Sequence, residues 1–114
     1  MLMALVIFAS CEDPREWRSR QAVRQLVKAT PLRATAAMDR VVTIGCYALV
    51  DIEQALHNAP LSGRLRLLEV IERARCREAI PLLRFLERWD DEKDVKKLAR
   101  RIRQRFERAS PPSS

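Results

Sequence analysis

Few side chains in this sequence have the type and spacing that catalysis requires. His57 is the only histidine among 114 residues, so it is the one candidate for a general base at neutral pH. It stands beside a predicted helix end, where a cation suits the helix dipole. The carboxylates Asp90 and Asp91 are of the kind that holds a metal ion or transfers protons, but they precede a predicted helix whose free N–H groups carboxylates cap. Without a GxSxG or phosphate-loop motif, we expect no enzyme, no catalytic residue, no metal and no cofactor.

Three cysteines, Cys11, Cys46 and Cys76, are the other reactive side chains. The chain has no CxxC motif and a single histidine, which leaves too few ligands for a zinc site. Cys46 and Cys76 have two interpretations: they pair in an oxidising compartment, or they pack unpaired as small apolar residues at helix starts. The sequence favours the second, so unpaired cysteines are the prediction.

Positive charge is concentrated near the C-terminus of a chain with a net charge of +7. Between Val95 and Arg108 only Glu107 opposes seven basic residues. We predict an anion-binding face on the two predicted helices over residues 61–74 and 92–107. It is formed by Arg66, Arg73, Lys97, Arg100 and Arg101. Its partner would be an acidic protein surface, anionic lipid or nucleic acid; the alternative is an ordinary solvated helix face. Few aromatic residues interleave with these cations, which disfavours binding of single-stranded nucleic acid.

The elements that position these residues are predicted to be helices. Glycine occurs only twice, charged residues make up 32% and apolar residues 47%, a composition typical of amphipathic helices with short connections. Asp13-Pro14, Thr30-Pro31, Gly45 and the Asn58–Pro60 segment mark helix starts and ends. The apolar periodicity predicts six helices, over residues 14–29, 32–44, 47–57, 61–74, 77–88 and 92–107. We expect residues 109–114 to be a disordered tail.

A shift of 31 residues aligns the second part of the chain with the third. Seven small or apolar positions then coincide, which indicates an internal repeat: Ala48 with Ala79, Leu49 with Ile80, Ile52 with Leu83, Ala55 with Leu86, Leu67 with Leu98, Leu68 with Ala99, and Ile71 with Ile102. The first repeat fits a register nearer 30.

The segment AIPLLRFLERWDDEKDVKKLARRI (79–102) resembles a HEAT repeat. It has a Pro before paired leucines, an acidic turn, and Val95 followed by basic residues and then Ala99. The resemblance implies an all-α fold, a short α-solenoid of about three antiparallel helix pairs over residues 12–108. It also implies a monomeric, non-enzymatic scaffold or adaptor that binds a protein partner. The alternative is a HEAT-like nucleic-acid-binding or DNA-repair protein that uses the basic C-terminal helix.

The first eleven residues, MLMALVIFASC, resemble the signal peptide and lipobox of bacterial lipoproteins. Small residues precede Cys11, which would be lipidated and become the new N-terminus. This implies a location in the bacterial cell envelope. The alternative is an apolar N-terminal cap packed on the first repeat of a cytoplasmic protein.

Overall fold

A computed structural model describes residues 13–109, and within this range every regular element is helical. The all-α prediction is therefore confirmed. Short 3₁₀ turns over Gly45–Ala48 and Arg77–Ala79 precede the third and fifth α-helices, whereas the sequence predicted regular helix from Tyr47 and from Arg77. The predicted signal segment with Cys11, and the predicted tail apart from Ala109, lie outside the described residues. The six α-helices are α1 (Pro14–Lys28), α2 (Pro31–Ile44), α3 (Leu49–Leu56), α4 (Leu61–Ala74), α5 (Ile80–Trp89) and α6 (Lys93–Arg108).

Local chemistry explains several helix ends. Asp13 accepts a hydrogen bond from the Arg15 backbone N–H at 2.9 Å, and Pro14 occupies the first turn of α1. Gly45, with φ of 76°, ends α2 in a conformation that favours glycine. Arg75 ends α4 in the left-handed region, at φ 55° and ψ 48°, although it has a Cβ. Such a position costs about 1 kcal/mol, so the surrounding packing must hold it there.

Helix α4 lies at the centre of the fold. It packs against α1, α2, α3 and α6, while α5 packs mainly against α6. Gly63 brings α4 close to α1, because a Cβ there would lie 3.3 Å from the side chain of Val27. The core follows these contacts from one end of the described chain to the other, and its largest fully buried side chains include Leu26, Ile52, Leu67, Leu68, Ile71, Leu83 and Ile102.

The burial pattern supports the internal repeat. Four of the residue pairs aligned by the 31-residue shift are buried at both positions: Ala48 with Ala79, Ile52 with Leu83, Leu68 with Ala99, and Ile71 with Ile102. In the first part of the chain a shift of 30 aligns buried residues of α2 and α4, Met38 with Leu68 and Val41 with Ile71. Positions 30 or 31 residues apart therefore face the same core.

Both tryptophans lie at the surface of the fold. Trp17 is 55% exposed and Trp89 is 64% exposed. Trp17 lies on the side of α1 opposite its buried stripe, which includes Ser19, Val23 and Leu26. The Arg88 guanidinium lies 5.6 Å from the centre of the Trp89 ring, so this ring contacts a cation at the surface rather than the core.

None of the helices in residues 13–109 combines the length and the apolar character that crossing a membrane would take.

Candidate binding surfaces

The exposed side of α6 is a basic stripe, which we define as Lys97, Arg100, Arg101, Arg105 and Arg108. Spacings of three and four residues place these side chains on one side of the helix. The opposite side is buried in the core and presents Val95, Ala99, Ile102 and Phe106. Of the stripe residues, Lys97 and Arg108 have no ion-pair partner within residues 13–109. The two ends of the stripe therefore present uncompensated positive charge to solvent.

The three arginines between Lys97 and Arg108 contact carboxylates of neighbouring helices. Arg101 and Arg105 lie 3.6 and 2.8 Å from Glu72 of α4. Arg100 lies 3.5 Å from Glu87 of α5. Since Glu72 faces two guanidinium groups, it neutralises only part of their charge. These pairs attach α6 to both neighbouring helices and leave the stripe basic.

Arg103 is a structural residue beside the basic stripe. Its guanidinium donates two hydrogen bonds to Glu87, at 2.7 and 3.1 Å, and a further one to Glu107. The hydrogen bond from Arg103 is the main reason that the pKa of Glu87 lies below its usual range, and it lowers the pKa of Glu107 in the same way. Arg103 thus clamps α5 to α6 and is not available to an external anion.

Arg73 borders a cleft of about 740 Å³ between the C-terminal ends of α4 and α6, which we call the C-terminal cleft. Its guanidinium lies 2.9 Å from Asp39 of α2. Arg75 and Arg77 line the same cleft, together with Arg105 of the basic stripe. The structure therefore brings Arg73 close to the stripe, as the sequence predicted, but with a carboxylate partner.

Arg66 does not belong to the exposed basic face, which corrects its predicted role. Its guanidinium is half-buried and donates to the carbonyl oxygens of Ala29 and Leu26, at 2.8 and 3.3 Å. The last carbonyls of a helix lack intrahelical partners and carry partial negative charge, so a cation satisfies them well. Arg66 caps the end of α1 from α4 and stabilises the contact between these helices.

Cys46 and Cys76 form a disulfide, so the prediction that they are unpaired is wrong. Their Cα atoms are 5.4 Å apart across a separation of 30 residues. Cys46 lies in the 3₁₀ turn before α3, and Cys76 directly precedes the turn before α5. The disulfide therefore links the two 3₁₀ turns that precede α3 and α5.

Asp90, Asp91 and His57 line a groove of about 400 Å³ between α3 and α5. Asp90 accepts a hydrogen bond from the backbone N–H of Glu92, the residue before α6, at 2.9 Å. It also pairs with Arg64 at 3.1 Å. No group of three or more metal-binding side chains occurs within the described residues.

Sequence reasoning missed this α3–α5 groove. Leu56, Leu82 and Leu86 line it, and Pro81 and Phe85 lie along α5. A signal was available in the helical spacing, since Phe85 lies outside the side of α5 that Leu83 and Leu86 bury, and the residue is 54% exposed. Apolar residues exposed singly are common at protein surfaces, but Phe85 adjoins the other apolar residues of this groove.

Comparison with known protein families, curated proteins and solved structures gave no significant match. The function therefore has to be inferred from the residues and contacts of this chain itself.

Proposed function

We propose that the described residues form a short HEAT-like α-solenoid of three helix pairs, α1–α2, α3–α4 and α5–α6. The contacts of the second helices support this arrangement, since α4 packs against both α2 and α6. The matching burial of positions 30 or 31 residues apart supports it as well. Stacked helix pairs of this kind share a continuous core and expose long surfaces, which suits them to binding other macromolecules.

The proposed function is that of a non-enzymatic scaffold that binds an acidic surface of a partner protein through the basic stripe. The observation that carries this proposal is the exposed, uncompensated charge of Lys97 and Arg108 at the two ends of the stripe. The arginines between them are held by ion pairs with Glu72 and Glu87. Arginines held by ion pairs lose less side-chain entropy on binding. The stripe thus presents partly preorganised donors to carboxylates.

A protein partner suits this surface better than nucleic acid, the alternative. Asp39 and Glu72 lie among the arginines, and Glu69 lines the C-terminal cleft. These carboxylates would repel a phosphate backbone, whereas a protein surface of mixed charge can place cations opposite them. Anionic lipid headgroups would meet the same carboxylates.

Reversing the two unpaired charges of the stripe should weaken partner binding. In K97E/R108E no ion pair is lost, yet we expect several-fold less partner to be recovered because long-range attraction is reversed. The matched control is K28E/R33E, which makes the same charge change at exposed positions of α1 and α2. The measurement is quantitative pull-down from native extract with wild type and both variants as bait.

Equal recovery by wild type, K97E/R108E and K28E/R33E would remove the basic stripe from the proposal. The nucleic-acid alternative has its own test, retention on duplex DNA over a salt titration. Affinity that falls steeply with salt and is lost in K97E/R108E would favour it.

A second part of the proposal is that the protein is a lipoprotein of the bacterial cell envelope. The Cys46–Cys76 disulfide supports this location, because disulfides persist mainly in oxidising compartments outside the cytosol. The lipobox-like residues ending at Cys11 support it independently.

Intact mass of the protein purified from its native membrane and soluble fractions tests the lipoprotein proposal. We expect a membrane-bound form that begins at a lipidated Cys11 and that disappears in C11A. A soluble protein that retains residues 1–10 would contradict the proposal and leave these residues as an apolar cap.

A further inference from the structure

The α3–α5 groove combines an apolar floor with an open aromatic wall. Leu56, Leu82 and Leu86 contribute apolar surface, and Phe85 leaves about half of its ring exposed. A packed core would cover such a ring, since burying a phenylalanine side chain is strongly favourable. The groove therefore offers an anchoring site for an apolar side chain from outside.

The rim of the α3–α5 groove is acidic on a chain whose net charge is +7. Glu53 and Asp91 are exposed at this rim and have no ion-pair partner within residues 13–109. Asp90 is already neutralised by Arg64. Two free carboxylates beside apolar surface attract a cationic group that also brings apolar contacts.

The aromatic residues near the groove do not recur at the equivalent positions of the preceding repeat. In the 31-residue register, Phe85 aligns with Gln54 of α3, and Trp89 aligns with Asn58. The first helix of the last pair thus carries aromatic residues where the preceding pair carries polar ones. Packing within the repeat does not require Phe85, so this exposed side chain is available for a contact with another molecule.

We propose that the α3–α5 groove binds a peptide segment of a partner protein that places an apolar side chain against Phe85 and an Arg or Lys beside Glu53 and Asp91. This partner is opposite in charge to the one proposed for the basic stripe. The two surfaces would let one chain connect an acidic partner to a basic one, and the groove does not depend on the function of the stripe.

The test is selection of random 12-residue peptides displayed on phage against the full-length protein. Enriched peptides are synthesised, and their affinities for wild type and variants are measured by fluorescence anisotropy. We expect enrichment of sequences that combine Leu or Phe with Arg or Lys. The F85S variant should weaken their binding about tenfold or more, because the apolar side chain of the peptide loses its contact with the Phe85 ring. The matched control W89S changes an exposed aromatic residue that does not line the groove.

A second pair of variants tests the charges without altering side-chain size. E53Q/D91N should weaken the selected peptides several-fold, with the difference shrinking at high salt. E78Q/D94N removes two exposed carboxylates elsewhere and should have no effect. Because all four positions are exposed, these variants should fold like wild type.

Three results would overturn the proposal. The first is that no enriched peptide depends on Phe85, and the second is that the enriched peptides are acidic. The third is a wild-type dimer in sedimentation equilibrium that F85S abolishes, since a second copy of this chain would then occupy the groove.

Discussion

Removing the Cys46–Cys76 disulfide is expected to lower the free energy of unfolding by about 3.5 kcal/mol, the largest effect of any change considered for this fold. The bridge closes a loop with a sequence separation of 30 residues. Closing a loop of this size removes conformational entropy from the unfolded chain, and the estimate follows from that loss. The Cα separation of 5.4 Å lies within the normal range for disulfides.

Equilibrium unfolding in urea measures this effect in C46A/C76A and in the wild type. Because either substitution breaks the same bridge, C46A and C76A alone should each lose nearly as much stability as the double variant. Wild type unfolded under reducing conditions should approach the same midpoint. If urea-unfolded, unreduced wild type reacts with iodoacetamide at Cys46 and Cys76, or if all variants share its midpoint, the disulfide assignment is wrong.

The disulfide also holds the loop that carries part of the C-terminal cleft. Arg75 and Arg77 flank Cys76, and Arg75 is the residue whose backbone lies in the left-handed region. A covalent link at Cys76 limits the conformations available to both neighbours. We infer that the bridge contributes to the shape of the cleft as well as to the stability of the fold.

The second large effect is expected for Asp90→Ala, which should cost about 3 kcal/mol of folding stability. The Asp90 side chain is 6% exposed and pairs with Arg64, whose side chain is 22% exposed. Without its partner, Arg64 would remain a largely buried guanidinium with less compensation. The substitution also deletes the hydrogen bond to the Glu92 N–H before α6.

Asp91→Ala is the matched control for Asp90→Ala. Asp91 is the next residue, is exposed, and has no ion-pair partner in the described part of the chain. Its replacement should change stability by less than about 0.5 kcal/mol. Thermal and urea unfolding of the two variants provide the comparison. Similar losses for both would show that net acidic charge before α6 matters, rather than the Asp90–Arg64 pair.

Arg64 connects α4 to the link between α5 and α6 through this pair. Besides Asp90 it donates from Nε to the carbonyl oxygen of Ala59 at 3.0 Å, at the link between α3 and α4. The link between α5 and α6, where Asp90 lies, is thereby attached to the preceding helix pair. Loss of Asp90 should therefore loosen the last helix pair first, and hydrogen exchange in α6 would report this.

The sequence alone was sufficient to place the helices and much of the core. Asp13-Pro14, Gly45 and the prolines act on backbone groups within one turn of themselves, so their effect is readable locally. The apolar residues Val95, Ala99 and Ile102 likewise recur at helical spacing in the sequence, and all three are buried. The sequence did not predict the 3₁₀ turns before α3 and α5, because their geometry depends on how the chain turns between packed helices.

Only the tertiary structure decided the roles of individual polar and reactive residues. Arg66 contacts carbonyls 37 and 40 residues away. The periodicity of one helix contains no information about which carbonyls or carboxylates a neighbouring helix places opposite it. The same holds for Cys46 and Cys76: their positions at helix starts are local properties, but their pairing requires two turns to lie side by side.

The basic stripe could be predicted from the sequence, whereas the α3–α5 groove depends on the tertiary structure. Charge along α6 is a property of one helix, so the sequence predicted Lys97, Arg100 and Arg101 as exposed cations. The groove arises between two helices about 31 residues apart in the chain, so Phe85 acquires its significance only beside Glu53 and Leu56. Local spacing determined which side of each helix is apolar, whereas the packing of the helices decided which polar groups meet and where a partner has room to bind.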